Sequence, residues 1–210
     1  MDALKALIQF PIYYSFSTLR FATGLVAVTP IIALDLVSKR GKSKIFKKHT
    51  KLYELLKSAP FGSHFFDGVV GLFAPYTTSI NSHVTECKPG FVQIQMYERP
   101  WLKNPFNSIH AVALTNLGEF ASGLSMVCSM QETNGNVRGI ISKIETTYMK
   151  KARGIITATS TSTCQDVVSD CERIAEAILT DASGEQVAIC KCTWNLKVKN
   201  KEGEGDKKKK

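Results

Sequence analysis

The cleanest alternation of apolar and polar positions lies at 91–98, FVQIQMYE, where Val92, Ile94 and Met96 oppose Gln93, Gln95 and Tyr97. A period of two predicts a strand with one face on a core. The segment before it, 77–87 (TTSINSHVTEC), alternates more loosely and is also read as a strand, joined to 91–98 by a tight turn at Lys88-Pro89-Gly90. From 108 to 128 the period lengthens: Ala113, Leu117, Phe120, Leu124 and Cys128 form an apolar stripe at three- to four-residue spacing, with no proline and few β-branched residues. That pattern predicts a helix, capped at its start by Asn107 or Ser108 and ended by the loop Thr133-Asn134-Gly135-Asn136. Strand signals resume at 137–149, 154–164, 171–181 and 186–198.

The predicted order is β, β, α, β, β, β, β. A long antiparallel sheet with a single helix buries that helix only by wrapping one face around it. The expected class is therefore α+β, with the hotdog arrangement over residues 76–198.

Ahead of that domain the pattern is different. Residues 21–34, FATGLVAVTPIIAL, carry no charge, and the run ends at Arg20 and Asp35. Fourteen residues fall short of the ~20 that cross a bilayer, though snorkelling of Arg20 and tolerance of Asp35 extend the stretch to 17–37. Residues 1–43 are read as a hydrophobic N-terminal anchor with a basic flank, spanning or half-inserted; the alternative is a hydrophobic helix packed on the main domain or a partner. The basic run directly after it places the rest of the chain on the cytoplasmic side of a membrane. Residues 44–75 read as amphipathic connecting helices, closed by Pro60 and Pro75, with His49 and His64 structural or exposed for want of ligand-spaced partners in sequence. Residues 199–210 form a disordered Lys-rich tail ending in Lys207 to Lys210, which resembles the dilysine retrieval signal of endoplasmic-reticulum membrane proteins. The expected location is a membrane, with the folded domain in the cytosol and the endoplasmic reticulum as the first candidate; the mitochondrion is the alternative.

Charge narrows the partners. The 210-residue chain has 27 Lys+Arg, 18 Asp+Glu and a net charge of +9. Residues 39–51 alone contribute +7 and residues 197–210 contribute +4, so the remainder carries −2. A nearly neutral folded body excludes nucleic acid as the main partner. The six cysteines include no CxxC pair; buried free thiols in a reducing compartment fit best, and no metal is expected.

Specific chemistry enters at Arg99-Pro-Trp-Leu-Lys-Asn-Pro-Phe-Asn-Ser-Ile-His-Ala-Val-Ala-Leu-Thr-Asn-Leu-Gly-Glu119-Phe-Ala-Ser-Gly123. This stretch resembles the helix-entry motif of hotdog-fold thioesterases, and Tyr148-Met-Lys-Lys-Ala-Arg-Gly154 resembles a second signature of a thioesterase-like branch of that family. Ala74-Pro75-Tyr76 and a closing strand ending VAICKCTW fit as well, so the resemblance covers about 60–196. It is similar to the acyl-CoA thioesterases of the phenylacetyl-CoA type. Those enzymes place an Asn six residues before a His and an acid nine after it, the spacing of Asn104, His110 and Glu119. The resemblance implies that Asn104 and the backbone N–H of Ala111 polarise the thioester carbonyl and that Glu119 activates water or attacks directly. Coenzyme A thioesters would be the substrate, with no other cofactor. Lys150, Lys151 and Arg153 are the candidate contacts for the coenzyme A phosphates; a solvated hairpin is the other reading.

Four positions depart from the better-known enzymes. Ala111 and Val112 stand for Gly-Gly, Asn107 for a common Gly, and Ile141 for a Ser that orients water.

Helix geometry adds a condition. Nine residues are ~14 Å along the axis and turn Glu119 almost to the opposite side of the helix from His110. A working site therefore takes Asn104 and Ala111 from one subunit and Glu119 from another, so a homodimer or a dimer of dimers is expected. Val112, Thr115, Asn116, Ser122 and Gly123 would supply a small, polar-leaning face on which two helices approach. The expected function is hydrolysis of (fatty) acyl-CoA at a membrane surface; the alternative is a non-catalytic hotdog module that binds acyl or lipid ligands or scaffolds a membrane complex.

Overall fold

The computed structural model describes residues 49–199 apart from 60, 134 and 135. The anchor and the Lys-rich tail expected at the two ends lie outside the described residues. Among the described residues there are three α-helices: α1 (His49–Lys57), α2 (Gly62–Phe73) and α3 (Ala111–Glu132). Six strands follow the predicted order: β1 (His83–Lys88), β2 (Phe91–Tyr97), β3 (Val137–Tyr148), β4 (Ile155–Thr161), β5 (Cys171–Asp181) and β6 (Gln186–Val198). They form one antiparallel sheet, β1-β2-β4-β5-β6-β3, whose edges are β1 and β3. The sheet wraps α3, which packs on β2, β4, β5 and β6, and the arrangement is the hotdog fold.

All five residues of the predicted stripe are buried, and Leu117 is fully so. Among the described residues α3 alone is long and apolar enough to cross a bilayer, and 67% of that stretch is buried inside the protein. It is the core of the domain. Gly118 sets how near helix and sheet can come: a Cβ there would sit 2.3 Å from the Cβ of Cys190. The turn read at Lys88-Pro89-Gly90 also forms, with Gly90 at φ 71° and its Cα facing the Ser162 carbonyl too closely for any Cβ.

The strand expected over 77–87 is shorter. Thr77–Ile80 is a 3-10 turn, Asn81 takes a left-handed φ of 56°, and extension starts only at His83. The cause is local: the Thr78 hydroxyl donates back to the carbonyls of Ala74 and Pro75, holding the chain in a turn. The helix runs to Glu132 and is capped by Thr133, where the loop was expected to end it.

All six cysteines are free and five are buried. α1 and α2 pack on the domain through Leu52, Tyr53, Phe66 and Val69. The Tyr53 hydroxyl donates to the Thr85 carbonyl at 2.6 Å, and its ring meets Phe66 edge-on. Burial pushes the Tyr53 phenol up to about 12.

Candidate active site

The N-terminal tip of α3 is built by the loop before it. Leu102 and His110 are tied by a backbone hydrogen bond of 2.7 Å, and Lys103 and Ile109 pair as an isolated bridge. Between them Asn104 anchors the turn: its Oδ1 accepts from the backbone N–H of Phe106 at 3.0 Å and of Ser108 at 3.2 Å, and its Nδ2 donates to the Ser108 hydroxyl at 3.0 Å. Asn107 adopts φ 57°. A left-handed residue at this position is the physical reason that Gly or Asn suits it and most other residues do not.

His110 is the N-cap of α3, and its Nδ1 accepts from the Val112 N–H at 3.2 Å. Neither Asn107 nor Ser108, the caps expected from sequence, holds that place. The Ala113 and Leu114 N–H groups donate to the His110 carbonyl. Ala111 is exposed, and its N–H is left at the positive end of the helix dipole. The Ala111 carbonyl accepts from the Tyr148 hydroxyl at 3.0 Å, which fastens the tip to β3.

Two of the three predicted phosphate contacts lie beside this tip. Arg153 Nε donates to the Asn107 carbonyl at 3.1 Å, Ile109 N–H to the Ala152 carbonyl at 2.9 Å, and Lys151 Nζ stands 6.0 Å from the centre of the Phe106 ring. Lys150 turns the other way and pairs with Asp181 at 2.6 Å and with Glu185. Those two carboxylates, both on the β5–β6 turn, hold its ammonium above the usual lysine range; residues 149–154 are not the hairpin that the sequence allowed, because β3 pairs with β6 and β4 with β2 and β5.

Glu119 sits elsewhere. Eight residues beyond Ala111 is ~12 Å along the axis, so one chain does not bring its carboxylate to its own helix tip. It lines a pocket of about 220 Å³ between α3 and the α1–α2 pair. Phe66, Val70 and Phe73 of α2, Leu124 and Val127 of α3, and Trp194 of β6 give the pocket an apolar wall. Burial among these groups pushes the Glu119 carboxyl above its ordinary range. The indole N–H of Trp194 is buried with no hydrogen-bond partner among the described residues. On β6 the thiols of Cys190 and Cys192 lie close to each other; a hydrogen bond from Cys192 draws Cys190 down to about 7, against the opposing effect of burial.

The face expected to receive a second helix needs correction. Ser122 is fully buried and its hydroxyl donates to Cys192 Sγ at 3.1 Å; Asn116 is 8% exposed and its Nδ2 donates to the Tyr76 carbonyl. Gly123 is buried beside Glu119 and Trp194. The chain's own sheet and the segment after α2 cover these positions, so only Val112 and, in part, Thr115 remain open. Small and polar residues on a helix face mark close approach, and here they approach elements of the same chain. Ile141, in the place of the water-orienting Ser, is half-buried opposite Trp194 on β6; Ser142 is exposed and donates to the Thr193 carbonyl.

Sequence reasoning missed the pocket wall from α2 and the indole of Trp194. The apolar spacing Phe66-Val69-Val70-Phe73 was visible, but which element it faced was not.

Comparison with solved structures agrees with the fold. The chain is similar to the structural-genomics crystal structure APC5556 at 20% identity, covering 72% of this chain and 99% of that one, with a TM-score of 0.61. It is also similar to PA5026 from Pseudomonas aeruginosa, a protein of unknown function called a probable thioesterase, at 19% identity, covering 62% and 92%, with a TM-score of 0.56. The phenylacetic acid degradation protein PaaI from Thermus thermophilus matches at 14% identity, covering 58% and 97%, with a TM-score of 0.48. No curated protein matches the chain. Residues 62–196, well over half of the chain, match the family described as Domain of unknown function (DUF4442), and the chain belongs to that family.

Proposed function

We propose that this protein hydrolyses acyl-CoA thioesters at a membrane surface, with two subunits completing each site. The observation that carries this reading is Glu119: a carboxylate held above its ordinary range by burial, on the wall of an apolar pocket. A base of raised pKa takes a proton from water effectively near neutral pH. The water oxygen then adds to the thioester carbon, and the carbonyl oxygen gains charge. The Ala111 N–H of the second subunit, at the dipole's positive end, stabilises that oxyanion. Collapse breaks the C–S bond, and the proton held by Glu119 passes to the departing thiolate, releasing the acid and the coenzyme A thiol.

Asn104 assists through the N–H that its bond to Ser108 leaves over, and His110 holds the tip in shape as its cap. Lys151 and Arg153 lie where phosphates of coenzyme A approach a tip-bound thioester; the paired Lys150 contributes field rather than contact. The hydrophobic N-terminal stretch and its basic flank hold the domain near acyl chains that partition into lipid.

One observation favours the other reading, a non-catalytic acyl- or lipid-binding module. Asn104 spends its carbonyl and one of its N–H groups inside its own loop. The decisive experiment is hydrolysis of a panel of acyl-CoAs by wild type and Glu119→Gln. A large loss in the variant supports the enzyme; equal rates near background in both support the binding module.

A further inference from the structure

Two of the protein's four histidines meet at one place, away from the α3 tip. His64 and Asp67 lie on α2 at i, i+3 spacing, which puts them on one helix face. His83 opens β1, the strand against which α2 packs. The two imidazoles stack with ring centres 4.4 Å apart and planes 28° from parallel. His83 Nδ1 lies 2.5 Å from Asp67 Oδ2, and His64 Nδ1 lies 3.8 Å from the same oxygen. One donor atom from each residue falls within 4.8 Å of the other two.

The carboxylate is fixed before any ligand arrives. Asp67 is 2% exposed, and its Oδ1 accepts from the Val84 N–H at 2.9 Å, leaving Oδ2 aimed between the imidazoles. The His64 side chain is 63% exposed, so the cluster is open to solvent on one side and that ring is free to adjust. Burial fixes one ligand, a backbone bond orients it, and an exposed ring completes the set: these are the features of a site with an oriented carboxylate and an entry path.

We propose that His64, Asp67 and His83 bind a divalent first-row transition metal, with zinc as the ion the donor set suits. Two imidazole nitrogens and one carboxylate oxygen match zinc, which bonds them at about 2.0–2.2 Å in a tetrahedron whose fourth place takes water. Magnesium and calcium prefer all-oxygen sets. The direct His83 Nδ1–Asp67 Oδ2 contact gives way to bonds to the ion when it enters. The ion ties α2 to β1. Because α2 also carries Phe66, Val70 and Phe73 to the pocket, the metal secures one wall of the pocket while touching no group of the proposed hydrolysis. The inference does not depend on the thioesterase reading.

The test uses the full chain without a polyhistidine tag. Cobalt is titrated in and read by visible absorption, and zinc is measured by competition. One equivalent is expected, with d–d bands of a nitrogen–oxygen site and no thiolate charge-transfer band, which separates this cluster from the six cysteines. His64→Ala changes an exposed side chain and leaves the metal-free thermal midpoint unchanged; it should weaken zinc by at least ~10-fold and erase the zinc-induced rise in midpoint. His83→Ala should abolish binding; if that variant does not fold, His64→Ala decides alone. Absence of stoichiometric binding, a thiolate band, or unchanged affinity in His64→Ala overturns the proposal.

Discussion

The tip of α3 and the pocket eight residues along it are opposite environments on one helix. At the tip Ala111 and Val112 are exposed, the first N–H groups lie at the positive end of the helix dipole, and two cationic side chains lie beside the loop. At the pocket a carboxylate stands among phenylalanines and aliphatic side chains, and dehydration raises its pKa. One is wet and positive, the other dry and acidic. A thioester joins a polar, phosphate-bearing half to an apolar half, and its carbonyl lies at the join. On the proposed reading the substrate needs both environments at one point, and α3 separates them by ~12 Å; that distance is why two copies are required.

The largest expected effect falls on the acidic side. Glu119→Gln should cut hydrolysis by roughly 10²–10⁴-fold with the fold intact, as read by turnover and circular dichroism together. Retained turnover would remove the pocket from the chemistry. On the same helix Gly118→Ala must push helix from sheet, since the new carbon meets Cys190 at 2.3 Å. Overpacking of this kind costs about 1–3 kcal/mol, measured by denaturant unfolding, and a neutral result would show that the helix–sheet spacing is slack.

pH separates the two environments in a signed way. Burial raises Glu119, so the fold favours its neutral form. Its contribution to stability is complete below the ordinary carboxylate pKa and is lost as the pH rises through the elevated value. Activity should do the reverse, appearing as the base ionises. Rate profiles and unfolding curves across the same pH range should cross in this manner, and Glu119→Gln should flatten the stability change. A rate independent of pH through the weakly acidic range would contradict Glu119 as the base.

At the tip the effects are smaller. Arg153→Glu should raise KM for coenzyme A esters several-fold and make it less salt-sensitive, because exposed charges act through a screened field; Lys150→Glu should do less, as Asp181 and Glu185 already hold that lysine. The smallest change is expected from Trp194→Phe, which keeps the wall and removes the unpartnered N–H. A few-fold change confined to KM would place that donor on the bound ligand.

Legibility followed the range of the forces involved. The strands β2, β5 and β6 were readable because alternation and turn residues are local, and the stripe on α3 because one face meets one sheet. The Thr77–Ile80 turn was missed because a hydroxyl bonded back along the chain outweighs weak alternation. Asn104, His110 and Glu119 were singled out by the resemblance to the hotdog thioesterases, and a motif could not show that His110 takes the Val112 N–H or that Ser122 and Asn116 are consumed within the chain. His64 stands isolated in sequence because its neighbour His83 is 19 positions away, reached only when α2 folds onto β1.

The sheet's unpaired margin at β3 has its own consequence. Ile140 and Ile144 are exposed there, at 70% and 45%. An open margin of this kind recruits any extended segment that fits, and charges are the usual deterrent. Lys143 and Glu145 interrupt this one with opposite signs around Ile144. A copy laid antiparallel about Ile144 sets each Lys143 across from the other's Glu145, while most foreign strands would meet at least one charge of the wrong sign. The same pair of residues thus opposes most foreign strands while posing no charge conflict to a copy in this register.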